Sequence, residues 1–129
     1  MSVNRSKFCL LLSIALLFAA CQAPLPIEKK IYKNRDLTKV DLHGESLEYA
    51  DFTKANLTDA NLSNANLRFA NFQEANLLNA NLQHANLQGA FFNGASLIGV
   101  QVEGADFRTA KGLSQELVST LGRKGAIVE

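Results

Sequence analysis

In 129 residues the chain has no tryptophan, one methionine, two prolines and two cysteines. Cys9 and Cys21 are too few for a disulfide framework or a cysteine-built metal site. The prolines, Pro24 and Pro26, fall together, so the chain beyond them is free of the interruptions proline imposes on regular structure. Neither sign of charge is in excess. The formal net charge of +1 argues against a strong nucleic-acid footprint. Long apolar runs are also missing, the longest being Phe8 to Ala20, thirteen residues, too short for an ordinary membrane span. There is no glycine-rich phosphate loop and no Ser-His-Asp or Cys-His arrangement, so no catalytic residue, cofactor or small-molecule substrate is expected and the chain reads as non-enzymatic.

What is present is repetition. From Arg35 to Thr109 a five-residue pattern, clearest in Ala55-Asn56-Leu57-Thr58-Asp59 and Ala60-Asn61-Leu62-Ser63-Asn64, runs through fifteen units without an insertion. Every fifth residue from Leu37 to Phe107 is Leu, Phe or Val, and a small residue, Ala in eleven units, stands two places before it. A helix cannot use this period, because a step of five turns the chain by about 140° and scatters the Leu residues around the cylinder. Ala-Asn-Leu is instead the apolar-polar-apolar alternation of a very short strand with one buried face. The following two residues are rich in Thr, Asp, Asn, Gly and Lys, which suits a corner. Asn or Asp precedes most central residues, and amide ladders between stacked coils are the expected scaffold role.

These A-N-L-x-x units resemble the pentapeptide-repeat family, and the resemblance covers 75 of the 129 residues. It implies an all-β fold, a right-handed quadrilateral parallel β-helix of about four coils, four units to a coil, with the central and small residues pointing inward. The sequence carries a check: residues twenty apart then stack, and Phe52, Phe72 and Phe92 recur at that interval as one core ladder.

The N-terminus reads differently. A short basic region, Asn4 to Lys7, precedes the Phe8–Ala20 run, which ends before Cys21. This is the shape of an export signal, and small residues followed by Cys resemble the bacterial lipoprotein signal, in which the Cys is lipidated. The expected organisation is therefore a signal peptide over 1–20, a lipidated Cys21 and tether over 21–34, repeats over 35–109, and a cap and tail over 110–129. Cys21 would hold the chain to a lipid bilayer in the cell envelope. Gln22 after it favours the outer membrane if the source has two. Tyr32, twenty residues before Phe52, either extends the Phe ladder or belongs to the linker.

Beyond the repeats, Ser114 is a good N-cap, Leu113, Leu117, Val118 and Leu121 share one helical face, and Gly122 can end the helix. The expected helix over 113–121 would cap the open end. On the outward positions His43 and His84 are about 9–10 Å apart along the axis, too far to share a metal. Two apolar groups stand out: Tyr49, Phe69 and Phe91, a possible interaction patch for a protein partner, and Leu78 with Ile98. The leading functional expectation is a membrane-anchored structural or interaction scaffold. The alternative is a DNA-mimicking inhibitor or protector of DNA gyrase, as some relatives of the resemblance are. That activity needs an acidic face, and residues 35–109 carry nine acidic and five basic side chains, a balance of −4 spread over all walls.

Overall fold

The computed structural model describes residues 29–129. The signal segment 1–20 and Cys21 lie outside the described residues. From Ile31 onward the backbone advances as a four-sided parallel β-helix in which each bridging residue pairs with the residue twenty further on. The pairs run from Ile31 with Asp51 and Asp36 with Asn56 to Asn86 with Asp106 and Phe91 with Lys111. Four units therefore close one coil.

One unit shows why the motif has this chemistry. The Asn56 N–H donates to Arg35 O in the coil below at 2.9 Å, and the Leu57 N–H donates to Asn76 O in the coil above at 2.7 Å. The Asp59 N–H donates upward to Leu78 O at 2.9 Å, and the Ala60 N–H closes the corner on Leu57 O at 3.0 Å. The remaining donor, the Thr58 N–H, is taken by Asn56 Oδ1 at 3.2 Å. All five backbone donors are satisfied, as buried or half-buried backbone requires.

The Asn position is thus chiefly an Asx turn, with Asp51, Asn71, Asn81 and Asp106 doing the same for Thr53, Gln73, Gln83 and Arg108. This differs from the expected amide ladder. Bonds between coils exist where an acid or hydroxyl accepts, as from Asn61 Nδ2 to Asp41 Oδ1 at 3.1 Å and from Asn76 Nδ2 to Thr58 Oγ1 at 3.2 Å. An Asn whose oxygen is committed to its own turn has its NH₂ left for a neighbour.

Each corner places its second residue at positive φ, between 56° and 60° at eleven non-glycine positions such as Lys39, Tyr49 and Phe69. Left-handed backbone costs an L-residue roughly 1–2 kcal/mol. Inward burial offsets it. Leu57, Leu62, Leu77, Leu82 and their Ala partners are essentially inaccessible, each central side chain contributing about 1.5–3 kcal/mol. Phe52, Phe72 and Phe92 stack along one wall at 5.0 and 5.1 Å between ring centroids.

Two boundaries differ from the sequence expectation. The rod begins at Ile31 and not at residue 35. Tyr32 N–H donates to Asp51 O at 2.7 Å and its ring lies 4.9 Å from Phe52, so the last residues assigned to the tether form a further unit at the bottom of the Phe ladder. At the other end the helix, α1, spans Gln115–Arg123. Ser114 caps it by accepting the Leu117 N–H at 3.2 Å. Gly122 lies inside α1, and the chain reverses at Gly125, with φ 89°. The tail then returns to the rod. Ile127 N–H donates to Ala105 O at 2.8 Å and Ile127 O accepts from Phe107 N at 2.8 Å, adding a rung above one wall while Leu121 of α1 is buried against the core.

Candidate functional site

The corner residue Tyr49 is 42% exposed and stacks on Phe69, one coil higher, at 5.2 Å with the rings inclined by 15°. The column continues into Gly89, where a Cβ would lie 2.5 Å from Phe69 Cδ1 and Cε1. The glycine is therefore the surface on which the Phe69 ring rests. On the adjoining wall Phe91 occupies the bridging position above Asp51 and Asn71 and below Lys111. Together Tyr49, Phe69 and Phe91 line a shallow groove of about 390 Å³ with Lys29, Asn71 and Gln73. The three aromatic residues expected to form a patch thus border one surface feature.

Cations flank the aromatic faces. Arg68 Cζ lies 5.2 Å from the Phe69 centroid and Lys111 Nζ lies 5.3 Å from that of Phe91. Arg68 Nη1 is 3.8 Å from Glu48 Oε1, a long pair of little energetic weight, and its buried Nε has no hydrogen-bond acceptor. Neither Lys29 nor Lys111 forms an ion pair among the described residues. Asp51, at the lower end, has its carboxyl held below the ordinary range by the Thr53 hydroxyl at 2.5 Å, with Lys29 and Lys33 acting in the same direction.

The other outward residues do not converge. Leu78 is half-buried and Ile98 is 69% exposed, and neither lines this groove. His43 Nδ1 is 2.9 Å from Ser63 Oγ, whose own proton goes to Asn61 Oδ1 at 2.7 Å. The His43 nitrogen must then be the donor, which fixes its Nδ1–H form. His84 lies against Gly104. No group of three His, Cys, Asp or Glu able to hold a metal occurs among the described residues. A separate polar cluster joins Asp106 to Arg108 at 2.7 Å and to Gln88 at 2.7 Å, and the Arg108 bond pulls the Asp106 carboxyl down to about 2. Its charges are mutually satisfied. Cys21, the lipidation candidate, lies outside the described residues.

Sequence reasoning missed Lys29, Asn71, Gln73, Lys111 and the role of Gly89. The twenty-residue register contains the signal for most of them, since it aligns Asn71, Phe91 and Lys111, and places Gly89 above Phe69. Lys29 precedes the first unit, yet the same register sets it twenty residues before Tyr49, at the foot of the aromatic column.

A rod of five-residue units, four to a coil, with one aromatic groove on its wall, defines a right-handed quadrilateral β-helix that offers surface instead of an enclosed cavity. The chain belongs to the pentapeptide-repeat family: the family model for pentapeptide repeats matches residues 46–79 and 75–111. Among solved structures it is similar to a pentapeptide-repeat protein of the Arabidopsis thaliana thylakoid lumen. The identity is 33%, covering 77% of this chain and 75% of that one, with a TM-score of 0.60. It also resembles HetL, a pentapeptide-repeat protein involved in heterocyst differentiation regulation in the cyanobacterium Nostoc, at 25% identity and a TM-score of 0.53. That match covers 64% of this chain and 44% of HetL, so the chain spans less than half of that relative. A comparison with curated protein sequences finds no match.

Proposed function

We propose that this chain is a non-enzymatic interaction scaffold, lipid-anchored in a bacterial cell envelope, that presents the wall bearing Tyr49, Phe69 and Phe91 to a protein partner. The observation that carries the interaction reading is the groove itself: three aromatic side chains from two walls and three coils share one accessible surface. Apolar surface gathered in this way marks interaction sites more often than scattered apolar residues do. The anchor reading rests on the thirteen-residue run ending before Cys21 and on the solitary character of that cysteine once the run is removed. Several acyl chains on one residue hold a protein stably, since each buried CH₂ contributes about 0.8 kcal/mol. A source with two membranes would carry it on the outer one.

Mass spectrometry of the protein from a bacterial membrane fraction tests the anchor. The expected N-terminal residue is an acylated Cys21. An intact chain starting at Met1 and recovered from the cytoplasm would overturn the anchor and make gyrase inhibition the next activity to assay.

A further inference from the structure

The groove gathers departures that occur singly elsewhere on the rod, where Lys39, Glu74 and His84 also sit at positive φ and Ser46, Ser96 and Gln101 also stand in bridging positions. Corner positions at φ near 58° suit Gly or Asn, yet Tyr49 and Phe69 occupy two that stack, at φ 59° and 57°. Bulky residues are unusual in that region of backbone space. The bridging position suits Asn or Asp, whose oxygen takes the N–H two residues on. Phe91 has no oxygen to offer and leaves the Asn93 N–H without that bond. Gly89 gives up its side chain directly above Phe69, and Phe69 occupies the space. Local rules broken together at one place are the mark of a functional surface.

The chemistry of the groove selects an occupant. Phe69 and Phe91 are half-buried and Tyr49 is stacked on Phe69, so the rings are poorly placed to insert into a bilayer. Its floor is made of amides. Asn71 Oδ1 is committed to the Gln73 N–H at 3.0 Å, which leaves the Asn71 NH₂ and the whole Gln73 amide without a side-chain partner among the described residues. Amides spaced along a groove match the peptide groups of an extended chain. At the ends stand Lys29 and Lys111, with the half-exposed Arg68, only distantly paired with Glu48, at the side. The column Ile31, Asp51, Asn71, Phe91 and Lys111 rises four coil spacings, about 19 Å, which an extended segment of about six residues spans.

We infer that the groove binds an extended acidic segment of a partner protein, about six residues long, with aromatic side chains alternating between carboxylates. The rings pack against the exposed parts of Tyr49 and Phe91 and the edge of Phe69, the carboxylates meet Lys29 and Lys111 with Arg68 beside them, and Asn71 and Gln73 bond its backbone. This inference rests on the scaffold reading above and names the partner chemistry of the same site.

The test is fluorescence anisotropy of a labelled hexapeptide alternating glutamate and phenylalanine, titrated with the full chain in detergent. Hexaglutamate and a hexapeptide alternating lysine and phenylalanine serve as comparisons. The expected result is saturable binding of the first peptide, at least about tenfold tighter than either comparison and weakened as salt rises. The double variant Y49S/F69S and the separate variant Lys111→Glu should each weaken binding about tenfold while keeping the wild-type far-ultraviolet circular dichroism spectrum and remaining folded at the assay temperature. Absence of saturable binding, equal binding of the lysine peptide, or unchanged binding by both folded variants overturns the proposal. So does sedimentation of full-length Cys21→Ser protein with phosphatidylglycerol vesicles in a manner lost in Y49S/F69S, which would make the groove a lipid surface. The titration is read whether or not Cys21 carries lipid, so its failure is separate from failure of the anchor, which mass spectrometry decides.

Discussion

Gly44 and Gly89 occupy equivalent corners, at φ 66° and 69°, but differ in what lies around them. A Cβ on Gly44 meets nothing within 4 Å, whereas a Cβ on Gly89 meets the Phe69 ring at 2.5 Å. Replacing Gly44 by Ala therefore isolates the cost of left-handed backbone, roughly 1–2 kcal/mol. Gly89→Ala carries the same cost plus the displacement of Phe69. Carbon atoms are comfortable at about 3.5–4.0 Å, so the ring must retreat by about 1 Å and tilt away from Tyr49. Losing an aromatic pair costs about 0.5–1.5 kcal/mol beyond area, which puts Gly89→Ala at about 1.5–3.5 kcal/mol.

A double-mutant cycle separates the two contributions. With Phe69→Ala as background the obstruction is gone, and Gly89→Ala should cost what Gly44→Ala costs, leaving a coupling of about 0.5–1.5 kcal/mol between positions 69 and 89. Urea unfolding followed by far-ultraviolet circular dichroism supplies the free energies. Since the chain has no tryptophan and only two tyrosines, near-ultraviolet circular dichroism also reports on Tyr49 with Tyr32 as the other contributor. Equal costs for Gly89→Ala in both backgrounds would refute the claim that the glycine exists to seat Phe69.

Phe72, inaccessible between Phe52 and Phe92, should cost about 3–5 kcal/mol when replaced by Ala and under about 1.5 kcal/mol when replaced by Leu, the residue that fills most of the other three walls; urea midpoints decide, and a penalty below about 1 kcal/mol for Ala would contradict a close-packed ladder. Asp106, with its carboxyl pulled to about 2 by Arg108, has a folded value below its ordinary 3.8. Its stabilisation is complete above the unfolded value and is lost as pH falls through the folded one. The stability gap between wild type and Asp106→Asn should therefore be present at neutral pH and close between about pH 4 and pH 2, remaining within about 1 kcal/mol because the Arg108 side chain is half exposed. Leu121→Ala, at a residue 1% exposed beneath α1, should cost about 2–4 kcal/mol. Because solenoid units contact only their neighbours, it should also raise amide exchange near residues 100–111 far more than near 55–70.

The inward half of each unit was open to reading because it answers to one requirement at a time. Leu57 has only to fill a quarter of a square core, Ala60 only to leave room, and the interval between Phe52 and Phe72 then states how many units close a coil. Where a residue serves two demands the pattern misleads. Asn56 looks like a ladder residue because Asn recurs at the same interval as Leu, but its oxygen is claimed first by the N–H of Thr58, and the stacking partner receives only what remains. Tyr32 and Ile31 do not match the Ala-Asn-Leu consensus, yet the pairing of Ile31 with Asp51 and the stacking of Tyr32 on Phe52 need only a bridging backbone and an aromatic ring, both present. α1 extends two residues past its expected end because Gly122 faces only Val128 and is tolerated within a helix, while Gly125 takes the positive φ that a reversal demands.

The groove lies at the other extreme. Outward positions have no packing duty, so Tyr49, Phe69 and Phe91 were visible as apolar residues but not as one surface. Their identities alone do not reveal that Gly89 is empty for the sake of Phe69, or that Asn71 and Gln73 make a floor between them. What separates these residues from the scattered apolar surface is the gathering at one place of aromatic rings in positions that suit small or polar residues: two on left-handed corners and one in the place of a turn-forming amide. Leu78 and Ile98 violate neither rule, each occupying the corner position that needs no special backbone. That physical difference is the ground on which the aromatic wall, and not the leucine-isoleucine wall, is proposed as the interaction surface.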